Sequence, residues 1–233
     1  MRLKTKASKW WLGVLVVAMV ATLLAGTACG GDDSGDGNGE PVTTTIAVAD
    51  ELNDGTISIA VAGLPAVMGS LFGGVDPMSD NVVPGAALWM GEQLRIRGLY
   101  RFNIAAWSEG DLTFHNECVM LYGSPGDLEV YILDDFGPLP DPTSTSEDMS
   151  GIWNAGELVG TVTPVVTEWF EVDVPEARVA EYKSDDGYIA LMLKATGETT
   201  PAIALTVPNA CCLSSYEYAT KRDKDVPYVE WAA

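Results

Sequence analysis

From about Pro41 onward the sequence predicts an all-β domain, a sandwich or a barrel, and three observations carry that expectation. Short segments alternate apolar and polar residues, the period of a half-buried strand. Clusters of proline, glycine, aspartate and serine separate those segments. Only two stretches invite a helix, and one of them is broken by glycine and proline.

The chain opens on different chemistry. Arg2, Lys4, Lys6 and Lys9 make a purely basic start, Trp10 to Ala25 is an almost unbroken apolar run, and Gly26-Thr27-Ala28 leads into Cys29. This is the layout of a secretory signal, in which positive charge stays cytoplasmic and the apolar run enters the membrane. Residues 1–28 are read as that signal peptide. The run Gly26-Thr27-Ala28-Cys29 resembles the lipobox of bacterial lipoproteins, although Gly26 stands where that family prefers leucine. The resemblance implies that the Cys29 thiol accepts a lipid. Two other outcomes stay open: retention of the apolar run as an uncleaved anchor, and plain secretion after cleavage at Ala28. Residues 29–41 form the next segment, and Gly30 to Glu40 holds no apolar residue, the composition of a flexible, disordered, acidic tether.

The rest, 42–233, is read as one β domain. Leu99 to Ile104 alternates, with Tyr100, Phe102 and Ile104 on one face. Leu128 to Ile132 turns Leu128, Val130 and Ile132 inward. Trp169 to Val174 turns Phe170, Val172 and Val174 inward and Glu171 and Asp173 outward. Tyr188 to Leu193 is nearly continuous in apolar residues, as a central strand requires. Pro227 to Trp231 reads as a closing strand. Ser124-Pro125-Gly126-Asp127, Gly137 to Pro142 and Ser184-Asp185-Asp186-Gly187 are turns. The two helix candidates are Ala62 to Phe72, interrupted by Gly63, Pro65 and Gly69, and Pro175 to Tyr182, with Pro175 at a first helical position.

Removing residues 1–28 takes away four of the 13 basic residues and none of the 33 acidic ones, so the net charge moves from −20 to −24. Such acidity excludes nucleic acid and anionic membrane surfaces as electrostatic partners. Beyond Cys29 the cysteines are Cys118, Cys211 and Cys212. Export would place them where disulfides persist. A bridge from Cys118 to Cys211 or to Cys212 is favoured over a strained bridge between the adjacent pair, and one thiol stays over. Zinc is disfavoured, because His115 is the only histidine.

The order of segments resembles a DNRLRE-type domain. Asn81-Val82-Val83-Pro84-Gly85 through Trp89-Met90-Gly91, then Arg97 to Ile104, is similar to the opening of that family. Cys118 to Tyr122, Leu128 to Leu133, Trp153-Asn154, Trp169 to Val174, Gly187 to Leu193 and Tyr218 through Trp231 follow in the family's order. The resemblance is strongest over 81–231. It implies a jelly-roll β-sandwich on an exported or cell-surface protein, and a carbohydrate-binding role that in some relatives concerns acidic polysaccharides.

Sugar binding needs exposed rings with polar neighbours. Trp89, Trp107, Trp153, Trp169 and Tyr131 are the available rings. Trp107, beside Ser108 to Asp111, and Trp153, between Gly151 and Asn154, are the candidate platforms; Trp169 is assigned to the core or a strand edge. An acidic polysaccharide would need basic groups, and Arg95, Arg97 and Arg101 share strand parity, with Arg97 and Arg101 as the candidate contacts. Pairing of these arginines with nearby carboxylates is the competing reading. A structural calcium ion would suit the oxygen-rich sets Asp50, Asn53 and Asp54, or Asp76, Asp80 and Asn81, though neither forms a complete loop. No other cofactor is expected. No nucleophile elbow, phosphate loop or dinucleotide fingerprint occurs.

The sequence therefore predicts an envelope-anchored lipoprotein, held to a membrane by its lipid, whose sandwich binds carbohydrate and is not an enzyme. A structural or adhesive surface protein without a sugar ligand is the alternative, and a polysaccharide-degrading enzyme ranks third.

Overall fold

Alternation along the chain resolves into twelve strands among the residues that the computed structural model describes, which are 43–50, 53–61, 74–76, 81–89, 92–139, 151–199 and 209–232. The stretches read from sequence as a signal peptide and an acidic tether, Cys29 between them, and the helix candidate Ala62 to Phe72 lie outside the described residues. All described residues fall in a unit spanning Glu40–Ala233. In chain order the strands are β1 (Thr43–Ala47), β2 (Asp54–Val61), β3 (Gly74–Asp76), β4 (Gly85–Trp89), β5 (Glu92–Asn103) and β6 (Leu112–Tyr122). They continue as β7 (Leu128–Leu133), β8 (Glu157–Val162), β9 (Trp169–Val174), β10 (Tyr188–Ala195), β11 (Asn209–Leu213) and β12 (Tyr228–Ala232).

Two long strands organise the rest. One edge of β6 pairs with β9, while its other edge pairs first with β12 and then with β11. β5 carries β2 on one edge, and β4 followed by β10 on the other. Because β11 also pairs with β4, the layer β1-β12-β6-β9 runs through β11 and β4 into the layer β5-β10-β7-β8. Every one of these pairings is antiparallel. One sheet folded over itself makes the all-β sandwich that the sequence predicts.

The core is where the alternating faces meet. Tyr100, Phe102, Ile104, Leu128, Val130, Ile132, Phe170, Val172 and Val174, the residues that parity turns inward, are all buried in it. Phe114 of β6 sits among three rings, 5.5 Å from Tyr100, 5.9 Å from Phe102 and 6.1 Å from Phe170, each tilted or edge-on. Such geometry adds to the roughly 1.5–3 kcal/mol that burying each large apolar side chain supplies. A second cluster covers the opposite face of the β5-β10-β7 layer and includes Ile57, Leu99, Leu139, Trp153 and Met192. β10 is thus covered on both faces, which is why its sequence shows no alternation.

Helix α1 (Glu176–Tyr182) starts one residue later than predicted: Pro175 is its N-cap, and the Pro175 carbonyl accepts from the Arg178 and Val179 N–H groups at 2.8 and 3.1 Å. Helix α2 (Tyr216–Arg222) lies outside both predicted helix candidates, although its signals are local. Ser215 caps it by accepting from the Tyr218 N–H at 3.0 Å, and Asp223 ends it in the left-handed region at φ 54°. No helix among the described residues is long and apolar enough to cross a membrane.

Candidate functional site: an aromatic strip on the outer face of one sheet

If Phe170, Val172 and Val174 face inward on β9, Trp169 must face outward with Glu171 and Asp173. The same parity on β12 turns Val229 and Trp231 inward and Tyr228 and Glu230 outward. β6 lies between them and presents His115, which stands opposite Tyr228 on one side and opposite Glu171 on the other. These three neighbouring strands therefore set Trp169, His115 and Tyr228 in one strip across the outer face of the layer β1-β12-β6-β9.

The geometry is that of a ring platform. His115 and Tyr228 stack with centroids 4.4 Å apart and planes 12° from parallel, and Trp169 lies 5.7 Å from Tyr228. Trp169 is 39% exposed, the most open tryptophan whose burial is described. The His115 Nε2 lies 3.1 Å from Glu230 Oε1, which holds the imidazole in place within the stack. A shallow depression of about 500 Å³ flanks the strip on the β9 side, lined by His115, Thr163, Val165, Glu168, Trp169 and Glu171 among others. A second, of about 390 Å³, lies on the β1 side between Thr45, Ala47, Asp225, Tyr228 and Glu230. Together they cross four strands, about 15 Å at ordinary strand spacing.

Acidic groups dominate the surroundings. Glu168 and Glu171 line one depression, Asp225 and Glu230 the other, and neither is lined by a lysine or an arginine. Burial raises the Tyr228 hydroxyl above its usual pKa, and Glu230, Asp225 and Glu171 raise it further. The hydroxyl stays protonated at neutral pH, free to donate.

The candidates drawn from the sequence lie elsewhere. Trp107 is only 7% exposed: its Nε1 donates to the Gly110 carbonyl at 3.0 Å, and the Lys183 ammonium lies 5.3 Å above its ring. Trp153 is 9% exposed, at the end of a helical turn over 151–154, with the Arg97 guanidinium 4.0 Å from its ring. Neither ring offers an open face, which corrects the expectation that they are platforms. Tyr131 is half-buried, donates to Glu129 Oε2 at 2.9 Å and carries Lys194 above its ring. The side chain of Trp89 lies outside the described residues.

The two arginines are likewise committed inside the protein. Arg97 grips Glu198 with Nε and Nη2 at 3.1 and 2.8 Å, and its Nη1 donates to the Trp153 carbonyl at 2.6 Å. Arg101 grips Asp135 at 2.5 and 2.9 Å, donates to Asn53 Oδ1 at 3.2 Å and stacks 3.4 Å over the Tyr188 ring. They do share a face, as parity requires, but carboxylates already occupy their donors. Pairing, the competing reading of these arginines, is the one that holds.

The first calcium set is spent in the same way. Asp50 Oδ1 accepts from Asn53 Nδ2 at 2.5 Å, and Asp54 Oδ2 accepts from the Tyr216 N–H at 2.6 Å. Among the described residues no three His, Cys, Asp or Glu side chains converge as metal ligands; Asp80 of the second set lies outside them. Of the cysteines, Cys118 and Cys211 meet in the core with Sγ atoms 3.3 Å apart, whereas Cys212 belongs to the opposite face of β11.

Fold and site together define a β-sandwich with an acid-rimmed aromatic strip on one sheet, exposed chiefly at Trp169, with His115 only 12% exposed beneath its stack with Tyr228. No protein-family model matches the chain and no curated protein matches it, so the resemblance to the DNRLRE-type domain rests on the order of its own segments.

Proposed function

We propose that this chain is an exported lipoprotein whose sandwich binds carbohydrate, without catalysing a reaction, through Trp169, His115 and Tyr228. The strip carries this reading: stacked and tilted rings on a flat sheet face meet the apolar side of a sugar ring, and flanking carboxylates accept from its hydroxyls. The ligand is a neutral glycan or one rich in amino sugars. An acidic polysaccharide would meet Glu168, Glu171, Asp225 and Glu230 with no lysine or arginine among the lining residues, and repulsion between like charges opposes it. Lipid on Cys29 would hold the domain at the envelope, with the acidic tether spacing it from the surface.

A glycan array probed with the purified full chain, with and without calcium, tests the proposal. Retention on neutral or amino-sugar glycans in both conditions is expected. Retention on acidic glycans alone, or on none, overturns it. The alternative, an adhesive or structural surface protein, is favoured by Leu158, Val165 and Val166, large apolar side chains exposed on β8 and in the turn before β9; binding to no glycan would leave that role in its place.

A further inference from the structure

We propose that Cys118 and Cys211 are joined by a disulfide in the mature protein, a clasp between β6 and β11 directly behind the aromatic strip. Both thiols are fully buried in the same core and their sulfurs are 3.3 Å apart, so a small side-chain rotation brings them to bonding distance. The two strands are antiparallel neighbours, with a bulge between Cys212 and Leu213 that brings Cys118 opposite Leu213. Parity settles which of the adjacent cysteines takes part. Cys211 shares the inner face with Cys118, whereas Cys212 stands opposite Met120, which is exposed.

The position gives the bond a purpose. β6 leaves one layer of the sandwich at Cys118, where its partner changes from β12 to β11. The same residue holds the turn that leads into Trp169: the Cys118 N–H donates to the Glu168 carbonyl at 3.0 Å, and the Cys118 carbonyl accepts from the Thr167 N–H at 2.6 Å. A bridge there fixes both the seam between layers and the backbone beneath the strip.

The chemistry balances with a disulfide-bearing oxidant, such as an envelope thiol–disulfide oxidoreductase or oxidised glutathione. One of the two thiolates attacks one sulfur of the oxidant and releases the other as a thiolate; the remaining cysteine thiolate then attacks the protein sulfur of that mixed disulfide and releases the second. Two electrons pass to the oxidant, and the two cysteine protons end on the thiols released. Because both sulfurs are fully buried in the folded domain, the exchange precedes closure of the core, and either thiolate can attack first. In the cell the step rests on the export reading, because a cytoplasmic chain would be kept reduced.

Two arms of one experiment separate the proposal from that reading. The full chain is purified from the envelope, and a second sample is refolded from denaturant in a glutathione redox buffer. Each is alkylated under denaturing conditions without reduction, digested and weighed. The expected product in both is a Cys118 peptide joined to the Cys211-Cys212 peptide with one alkyl group, on Cys212. Reduction lowers the thermal midpoint by on the order of 5–15 °C. Cys212→Ser keeps the cross-link and this shift, while Cys118→Ser and Cys211→Ser lose both. A cross-link in the refolded sample alone overturns the bridge in the mature protein and sinks export with it, while showing that the fold brings the two sulfurs together. Free thiols in the refolded sample, a bridge to Cys212 or a bridge between the adjacent pair overturns the proposal.

Discussion

Replacing Arg97 by leucine is expected to damage stability rather than any binding surface, and the size of the effect follows from its surroundings. The guanidinium is 12% exposed and its partner carboxylate, Glu198, only 2%, joined through two hydrogen bonds. Removing one member of such a pair strands a charge that water does not reach, which costs about 3–5 kcal/mol. Arg97 also donates to the Trp153 carbonyl and covers the Trp153 ring, so the upper half of that range is expected. At about 2–4 °C per kcal/mol for a chain of this size, the thermal midpoint falls by roughly 8–20 °C. The assay is denaturant and thermal unfolding of Arg97→Leu, Glu198→Leu and the double variant. The double variant should lose clearly less than the two single losses added together, because it leaves no orphan charge. Single losses within about 0.5 kcal/mol, the behaviour of a surface residue, would refute the reasoning and return Arg97 to the candidate ligand contacts.

Three further outcomes follow from the same structure. Asp135 is held below the usual carboxylate range first by its hydrogen bonds to Arg101, and Glu129 by its bond to Lys194. A depressed folded-state value means that stabilisation is complete above the unfolded-state value, about 4, and is lost as pH falls through the folded one. Urea midpoints should therefore drop below about pH 4, and Asp135→Asn should flatten that drop; an unchanged slope would contradict it. Gly85 adopts φ +149°, and a Cβ there would lie 2.2 Å from the Asn209 carbonyl oxygen. Gly85→Ala is expected to cost more than about 2 kcal/mol and to speed amide exchange along β4 and β11 first; uniform exchange would mean that this seam is not the weak point. Mass spectrometry of the mature N-terminus should find a lipid-modified Cys29, and an unmodified cysteine would end the lipoprotein proposal.

Much of the sandwich was legible because parity is a short-range signal. The inward residues of β5, β7 and β9 follow from alternation alone, and β10 from its absence. The pairing order was not legible, since β5 and β6 each divide an edge between two partners, and nothing local records which. Helix α2 hides behind a poor apolar period, although Ser215 and Asp223 mark its ends. The site shows a different failure. The alternation that turned Phe170 inward already implied an outward Trp169; of the two places expected for that ring, the core is wrong and the strand edge is right, since Trp169 opens β9, which among the described strands pairs only with β6. Trp107 and Trp153 looked exposed because polar and small residues flank them, yet Lys183 and Arg97 arrive from distant segments to cover them. His115 and Tyr228 could not be joined from sequence, because their contact depends on the register of β6 against β12.

The central claim is that the strip holds a sugar. Its most direct test is the affinity of the full chain for a retained neutral or amino-sugar glycan, compared with Trp169→Ala and Tyr228→Ala by calorimetry. Each substitution removes an outward ring and is expected to weaken binding at least about tenfold, roughly 1.4 kcal/mol, while Trp169→Ala leaves the unfolding midpoint nearly unchanged. Equal affinity in wild type and both variants would contradict the account.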